Sequence, residues 1–368
     1  KIFDIMAKNT SKFTKTKSFE VMKKIVFLRI NPNAVGGAER YLRRLAKALK
    51  DVGIETSVRS YLGETSVSSW KKALRFNAQV KRQKQSDELY FSLERVSCAD
   101  IYRAGDGVHK IYRATKPFWW VNPLNFVYPY LEKRCFKNSK KIIANSNYVR
   151  EQIILAYGID ESKIVTIYNG INLPQKVEKG EAKLSVCEEF GLDYNLPILL
   201  FVGNGFKRKG VKDFLRLVSK LKTPVNALIV GKDKNINSYK RFAKKLKIKA
   251  FFVGEQKTTA KFYEASDIFI FPTHYEPFSN VVLEALSFKN IVFTTAQNGA
   301  SEILERRFVM SDPSDESVPE LIDEILNSHE MLQELQEKSF LLSQKFSIEE
   351  NASKTLEVIN EVLDLEQK

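Results

Sequence analysis

Two glutamates, Glu276 and Glu284, stand with seven residues between them in the run Thr273-His274-Tyr275-Glu276-Pro277-Phe278-Ser279-Asn280-Val281-Val282-Leu283-Glu284. The apolar stretch over residues 267–273 reads as a parallel strand covered on both faces. Ser279 and Asn280 then offer N-cap chemistry to a helix. Backbone amides around Phe278, Ser279 and Asn280 would face the carboxyl end of the strand, where open α/β sheets place ligands and a helix N-terminus favours anionic oxygens. Glu284, four positions past Asn280 on the same helical face, suits the two hydroxyls of a ribose as their acceptor. A capped helix with two solvated glutamates is the competing reading.

A second loop, Gly203-Asn204-Gly205-Phe206-Lys207-Arg208-Lys209-Gly210, follows an apolar run over residues 198–202. Small residues let the backbone approach a ligand closely, and Arg208 and Lys209 suit a pyrophosphate. Neither the P-loop spacing nor a G-x-G-x-x-G fingerprint is present, and an ordinary basic turn explains the loop equally well. The first strand ends in Asn31-Pro32-Asn33-Ala34-Val35-Gly36-Gly37, where Gly36 and Gly37 at a helix start suit a phosphate or a sugar. A tight strand-to-helix turn is the plainer alternative.

The elements that must position these loops alternate strand and helix almost throughout, which predicts an α/β chain of two doubly wound, Rossmann-like domains with parallel sheets. Strands are expected at 24–30, 54–62, 88–93, 100–104, 141–145 and 164–167, then at 198–202, 227–230, 250–253, 268–271 and 291–294. The pattern predicts a polar extension at 1–21, an N-terminal domain at 22–172, a linker at 173–196, a C-terminal domain at 197–345 and a last helix at 346–368. A ligand is expected in the interdomain cleft, at strand ends.

At 368 residues, each of two domains can bury a core. The net charge of +15 is uneven, with 32 Lys and Arg against 15 Asp and Glu in residues 1–175 and 27 against 29 thereafter. That asymmetry points to an anionic partner for the first domain, whether nucleic acid, phospholipid or phosphorylated glycan. Cys98, Cys135 and Cys187 share no metal-ligand spacing and suit a reducing compartment. The three histidines are scattered and no Asp-x-Asp follows a strand, so no metal and no cofactor are expected. No run reaches the roughly 18 apolar residues of a spanning helix. The Lys-rich residues 1–21 lack the apolar core of a signal peptide, and Met22 reads as a natural start for the first strand.

Six segments in order carry a family resemblance: Gly36-Gly37-Ala38-Glu39-Arg40, Ala144-Asn145-Ser146-Asn147-Tyr148-Val149, Tyr168-Asn169-Gly170-Ile171-Asn172, Lys209-Gly210, Val253-Gly254, and Glu276 with Glu284. Together they resemble the retaining family 4 nucleotide-sugar glycosyltransferases, which have the two-domain GT-B fold. The resemblance implies that Lys209, helped by Arg208, binds the donor diphosphate, and that Gly36 and Gly37 line phosphate and sugar. It gives Glu284 the ribose, Val253 and Gly254 the base, and Glu276 with Phe278, Ser279 and Asn280 the transferred sugar. Asn204 stands where many relatives have Arg, with Arg208 expected to supply that charge.

The segment 93–109, Leu93-Glu94-Arg95-Val96-Ser97-Cys98-Ala99-Asp100-Ile101-Tyr102-Arg103-Ala104-Gly105-Asp106-Gly107-Val108-His109, resembles the branch building bacterial lipopolysaccharide or lipooligosaccharide core. Either Asp106 or His109 is then expected at the transferred sugar, beside Glu276 and Lys209 as catalytic residues. Between residues 116 and 141, Trp119 and Trp120 precede Lys133, Arg134 and Lys137, and rings beside cations suit an anionic membrane surface. A core helix with a basic outer face is the alternative.

These readings converge on a cytoplasmic enzyme peripherally associated with the inner membrane. It would transfer a hexose from a nucleotide sugar, a UDP-sugar foremost, to a lipid-linked oligosaccharide with retention. Another cell-surface polysaccharide or glycolipid is the alternative acceptor. A basic nucleic-acid-binding protein is the rival class, but no recognition module accompanies the charge, and no nucleic acid is expected. A Rossmann-type oxidoreductase should show the missing glycine fingerprint.

Overall fold

A computed structural model describes residues 24–33, 37–51 and 53–366. The expected extension at 1–21 and Gly36 lie outside the described residues. The chain divides into two compact units, one running to Gly170 and resuming at Ile348, the other spanning Ile171–Ser347.

The first unit contains strands β1 (Lys24–Leu28), β2 (Thr56–Arg59), β3 (Glu88–Ser92), β4 (Ile101–Ala104), β5 (Lys141–Ala144) and β6 (Ile164–Thr166). Its helices are α1 (Gly37–Asp51), α2 (Ser69–Gln83), α3 (His109–Ala114), α4 (Leu124–Asn138) and α5 (Asn147–Tyr157). The strands pair in the order β2-β1-β3-β4-β5-β6, all parallel. Because successive side chains leave a strand on opposite faces, β1 feeds two cores. Ile25 and Phe27 pack with Leu45 and Leu49, whereas Val26 and Leu28 pack with Phe76 and Val80.

The second unit contains α6 (Lys179–Phe190), β7 (Ile198–Val202), α7 (Phe206–Lys209), α8 (Val211–Val218), β8 (Asn226–Val230), α9 (Ile236–Lys245), β9 (Ala250–Gly254), α10 (Ala260–Ala265) and β10 (Ile268–Phe271). It continues with α11 (Asn280–Ser287), β11 (Ile291–Thr295), β12 (Val309–Met310), α12 (Val318–Asn327) and α13 (His329–Ser343). The parallel order β12-β11-β10-β7-β8-β9 is that of a dinucleotide-type sheet. Side chains of β7, β8, β10 and β11 are wholly buried, which is why those strands read as unbroken apolar runs.

One expectation needs correction. The stretch 173–196 is not simply a linker: its middle is α6, which packs against α10 and buries Val186 and Cys187. Its Lys-Glu-rich turns have little apolar periodicity, so the helix was hidden. The last helix expected at 346–368 forms, and the helices before it belong to a different unit. Helices α12 and α13 belong to the second unit, while α14 (Ile348–Glu366) joins the first, placing Ala352, Leu356, Ile359 and Val362 in the core with α1.

Candidate functional site

In the second sheet β7 and β10 are neighbours, and the strand order reverses between them. Ligands of open α/β sheets collect outside the carboxyl ends at such a switch point. The basic loop leaves β7 there and the glutamate loop leaves β10. Arg208 Nη1 donates to Glu276 Oε2 at 2.6 Å and to the Tyr275 carbonyl at 2.7 Å. Lys209 Nζ lies 3.9 Å from the same Glu276 oxygen and 5.0 Å from the Phe271 ring centroid. The Arg208 carbonyl ties the loops together, accepting from His274 N at 2.9 Å and from Thr273 Oγ1 at 3.2 Å. Two cations and one carboxylate thus meet at a helix-flanked strand edge, a combination suited to a multiply charged anion.

Glycine makes this closeness possible. Gly210 has φ +83°, and a Cβ there would stand 1.9 Å from the Pro272 carbonyl oxygen. At Gly231 a Cβ would meet the Gly203 carbonyl oxygen at 2.1 Å. Side chains at either position would force the strand-end loops apart.

The other predicted residues fall around this centre. Phe278 and Ser279 are buried, so any polar contribution of Phe278 comes from its backbone. Ser279 takes the N-cap position of α11, but its side chain makes no capping bond. Glu284 is half-buried on α11 and accepts from Tyr263 Oη at 3.3 Å. Val253 and Gly254 end β9, with Gly254 at φ +76° and its carbonyl accepting from Gly231 N at 2.8 Å. Asn204 bonds Glu255 Oε1 at 3.0 Å and accepts from Lys232 N at 2.8 Å. Arg208 is turned toward Glu276, and the cation beside Asn204 is Lys232, which pairs with Glu255.

In the first unit the strand order reverses between β1 and β3, and a charge network occupies that edge. Arg29, just past β1, lies 2.8 Å from Glu39, 3.0 Å from Glu94 and 3.9 Å from Asp106. Arg95 pairs with the fully buried Glu132 at 2.8 Å and lies 3.9 Å from Asp106. Burial pushes the Glu94 carboxyl up, with Arg29 pulling it the other way. Asp106, half-exposed, is the open carboxylate of the group. His109 opens α3 three residues on; its backbone N donates to Glu132 Oε1 at 2.6 Å, and its Nε2 meets Asn125 Oδ1 at 2.8 Å. Burial lowers the His109 pKa, which favours the neutral ring. Gly37 starts α1, and a Cβ there would meet nothing within 4 Å, so packing does not demand glycine.

Sequence reasoning missed Arg29, Glu94, Arg95, Asn125 and Glu132. Their signal was present: each is a polar side chain set beside apolar residues, and burial of such groups requires partners.

Phe118, Trp120, Val121, Phe126 and Tyr130 are large exposed apolar side chains, with Lys133, Arg134 and Lys137 exposed along α4. Phe118 adopts the left-handed region at φ 55°, uncommon for a bulky residue. Trp119 differs from Trp120: it is half-buried, with the Arg113 guanidinium 4.3 Å from its ring centroid. Among the described residues no helix is long and apolar enough to cross a membrane.

Two family models match the chain: glycosyl transferases group 1 over residues 187–340 and glycosyltransferase family 4 over residues 91–175. An uncharacterized glycosyltransferase of Methanocaldococcus jannaschii is 27% identical over 176 residues, 45% of this chain and 45% of that protein. The chain thus spans about half the length of the first curated relatives it matches. WaaG, a glycosyltransferase involved in lipopolysaccharide biosynthesis, has a solved structure similar to this one at TM-score 0.73 and 18% identity, covering 90% of this chain and 99% of that one. Anabaena HepE in complex with UDP-glucose gives 0.72 at 16% identity, covering 92% and 100%. The fold is GT-B, as the sequence predicted, and the sequence is group 1 and family 4-like over the matched segments.

Proposed function

We propose that this GT-B chain is a retaining glycosyltransferase that moves a hexose from a nucleotide sugar, a UDP-sugar foremost, to a lipid-linked core oligosaccharide of lipopolysaccharide or lipooligosaccharide. The observation that carries the reading is the meeting of Arg208, Lys209 and Glu276 at the switch point of the second sheet. The UDP preference is supported by the fold shared with the HepE complex, and the acceptor by the fold shared with WaaG.

In the proposed reaction the bond between the anomeric carbon and the diphosphate oxygen breaks while the acceptor hydroxyl oxygen bonds to that carbon from the same face. The leaving diphosphate takes the hydroxyl proton. Lys209 and Arg208 stabilise its growing negative charge, which lowers the barrier most where the cations are already in place. Glu276 and the amides at Phe278, Ser279 and Asn280 address the sugar, Glu284 the ribose hydroxyls, and Val253 with Gly254 the base. In the first unit, Asp106 and His109 serve as polar contacts to the sugar. The scheme calls for no metal or cofactor. The exposed aromatic turn and the cations of α4 would hold the enzyme against an anionic membrane leaflet on its cytoplasmic side.

The test is incubation with a panel of nucleotide sugars and truncated lipopolysaccharides. Transfer of a hexose with retained anomeric configuration supports the reading; no transfer and no donor hydrolysis across the panel overturns it. Thermal shift against UDP- and GDP-sugars identifies the base.

A further inference from the structure

Asn125 is buried at 5% exposure in the first turn of α4, and every polar group it carries is engaged across α3, α4 and the aromatic turn. Its Nδ2 donates to the Trp119 carbonyl at 2.6 Å, and its Oδ1 meets His109 Nε2 at 2.8 Å. Its backbone carbonyl has no helical donor, because the residue four positions on is Pro129, which lacks an N–H. Arg113 Nη1 donates to that carbonyl instead, and the same guanidinium covers the Trp119 ring.

This geometry fixes a proton. Rotating the Asn125 amide by half a turn would set Oδ1 against the Trp119 carbonyl, two acceptors 2.6 Å apart, so Oδ1 faces the imidazole. Oδ1 can only accept, and Nε2 must therefore carry the hydrogen. In a neutral ring Nδ1 is then an acceptor. The ring is further confined by Tyr128 and Tyr112, at centroid distances of 4.9 Å and 6.1 Å, and its backbone N–H is held by Glu132.

We propose that Asn125 is a positioning residue that holds His109 as the Nε2–H tautomer, presenting Nδ1 as an acceptor for a substrate hydroxyl and registering the ring to the Trp119 turn. The use of that acceptor rests on the glycosyltransferase reading; the tautomer does not. The charged and titratable groups around the ring are Arg95, Glu132, Lys116, Tyr112 and Tyr128. Burial is the largest influence lowering its pKa, the Asn125 bond raises it, and Arg95 lowers it.

The full chain, labelled with 15N at its three histidines and read by long-range 1H–15N NMR at pH 7.5, decides the point, with His109→Gln assigning the signal. Protonated Nε2 with unprotonated Nδ1 is the expected pattern. An Nδ1–H ring, or an even mixture of tautomers, overturns the proposal. In Asn125→Ala the ring should become a mixture, and kcat should fall about 10- to 100-fold with UDP affinity unchanged, the scale known for the orienting partners of metal-ligating histidines. Asn125→Asp should keep Nε2–H and move the acid limb of the pH profile upward. An unmoved tautomer in a folded Asn125→Ala protein also overturns it. Failure to transfer any sugar would remove the glycosyltransferase reading while leaving the NMR result interpretable, since no substrate is present in that measurement.

Discussion

Arg208 Nη1 and Glu276 Oε2 lie 2.6 Å apart, so the basic loop after β7 and the acidic loop after β10 are joined by a charge-assisted hydrogen bond at the point where the sheet reverses order. The bond spans 68 residues of sequence, and hydrogen bonds from the Thr273 hydroxyl and the His274 backbone N–H to the Arg208 carbonyl reinforce it. An anion entering here must share Arg208 with Glu276. Lys209, at 3.9 Å from the same carboxylate, can approach an anion without giving up a short bond to Glu276. The two cations therefore have different tasks.

Lys209→Ala should weaken UDP binding by about 10- to 100-fold, the scale of one lost hydrogen bond to a charged group. It should lower kcat by about 100-fold or more, as removal of a charge-stabilising donor does. Circular dichroism should be unchanged, because alanine is a good helix former and keeps the backbone of α7. Isothermal calorimetry with UDP and a transfer assay read the two effects separately, and wild-type affinity in the variant would exclude Lys209 from the diphosphate.

Glu276→Gln should act in opposite directions on binding and turnover. Removing the carboxylate's charge releases Arg208 from its competitor, so UDP alone should bind a few-fold tighter. Transfer should fall, because the sugar loses an ionised acceptor. Weaker UDP binding would mean that Glu276 organises Arg208 rather than competing for it.

Much of this site was legible in the chain because sequence and geometry are locally linked at strand ends. A parallel strand buried on both faces gives an apolar run, and the polar residues that follow it must lie at its carboxyl end, which is where Arg208 and Lys209 follow β7 and Glu276 follows β10. The pairing of Arg208 with Glu276 was not legible, because it depends on β7 and β10 being neighbours, a matter of sheet order. The pairings of Arg29 with Glu94 and of Arg95 with Glu132 were illegible for the same reason: the first requires β1 beside β3, the second α4 packed against the segment after β3. Helix α14 returned to the first unit through apolar residues that are equally able to cover any core.

Gly210→Ala should destabilise the second unit and impair donor binding together. The position has φ +83°, and the added Cβ would be 1.9 Å from a carbonyl oxygen, so backbone strain and a clash coincide. Left-handed strain alone costs about 1–2 kcal/mol, and overpacking adds about 1–3 kcal/mol. Thermal unfolding should show a fall of several degrees relative to wild type. An unchanged melting temperature would show that the loops can separate without loss.

His109 should give stability a defined pH dependence. Burial lowers its pKa in the folded state, so the unfolded chain takes up a proton first as pH falls. Folding stability contributed by the neutral ring is complete above the ordinary histidine range near 6.5 and declines as pH drops through the folded pKa. The wild type should lose melting temperature relative to His109→Gln as pH falls below about 6.5, with no change in the difference well above that range. A flat difference across that range would mean that the ring charges without penalty.

The aromatic turn predicts a division of labour between its two tryptophans. Trp120 is 57% exposed and Phe118 69%, while Trp119 lies against Arg113 and shares its carbonyl with Asn125. Phe118→Ala with Trp120→Ala should weaken binding to vesicles of phosphatidylethanolamine and phosphatidylglycerol by about tenfold or more, since burying one such side chain contributes roughly 1.5–3 kcal/mol. Trp119→Ala should instead lower kcat by loosening the contacts around Asn125, with a smaller effect on vesicle binding. Reversing the charges of Lys133, Arg134 and Lys137 should abolish the salt-sensitive part of binding, because exposed charges are screened within about 8 Å at physiological ionic strength. Vesicle flotation at low and high salt reads all three variants, and equal binding by the Phe118/Trp120 variant and wild type would remove the turn from the membrane contact.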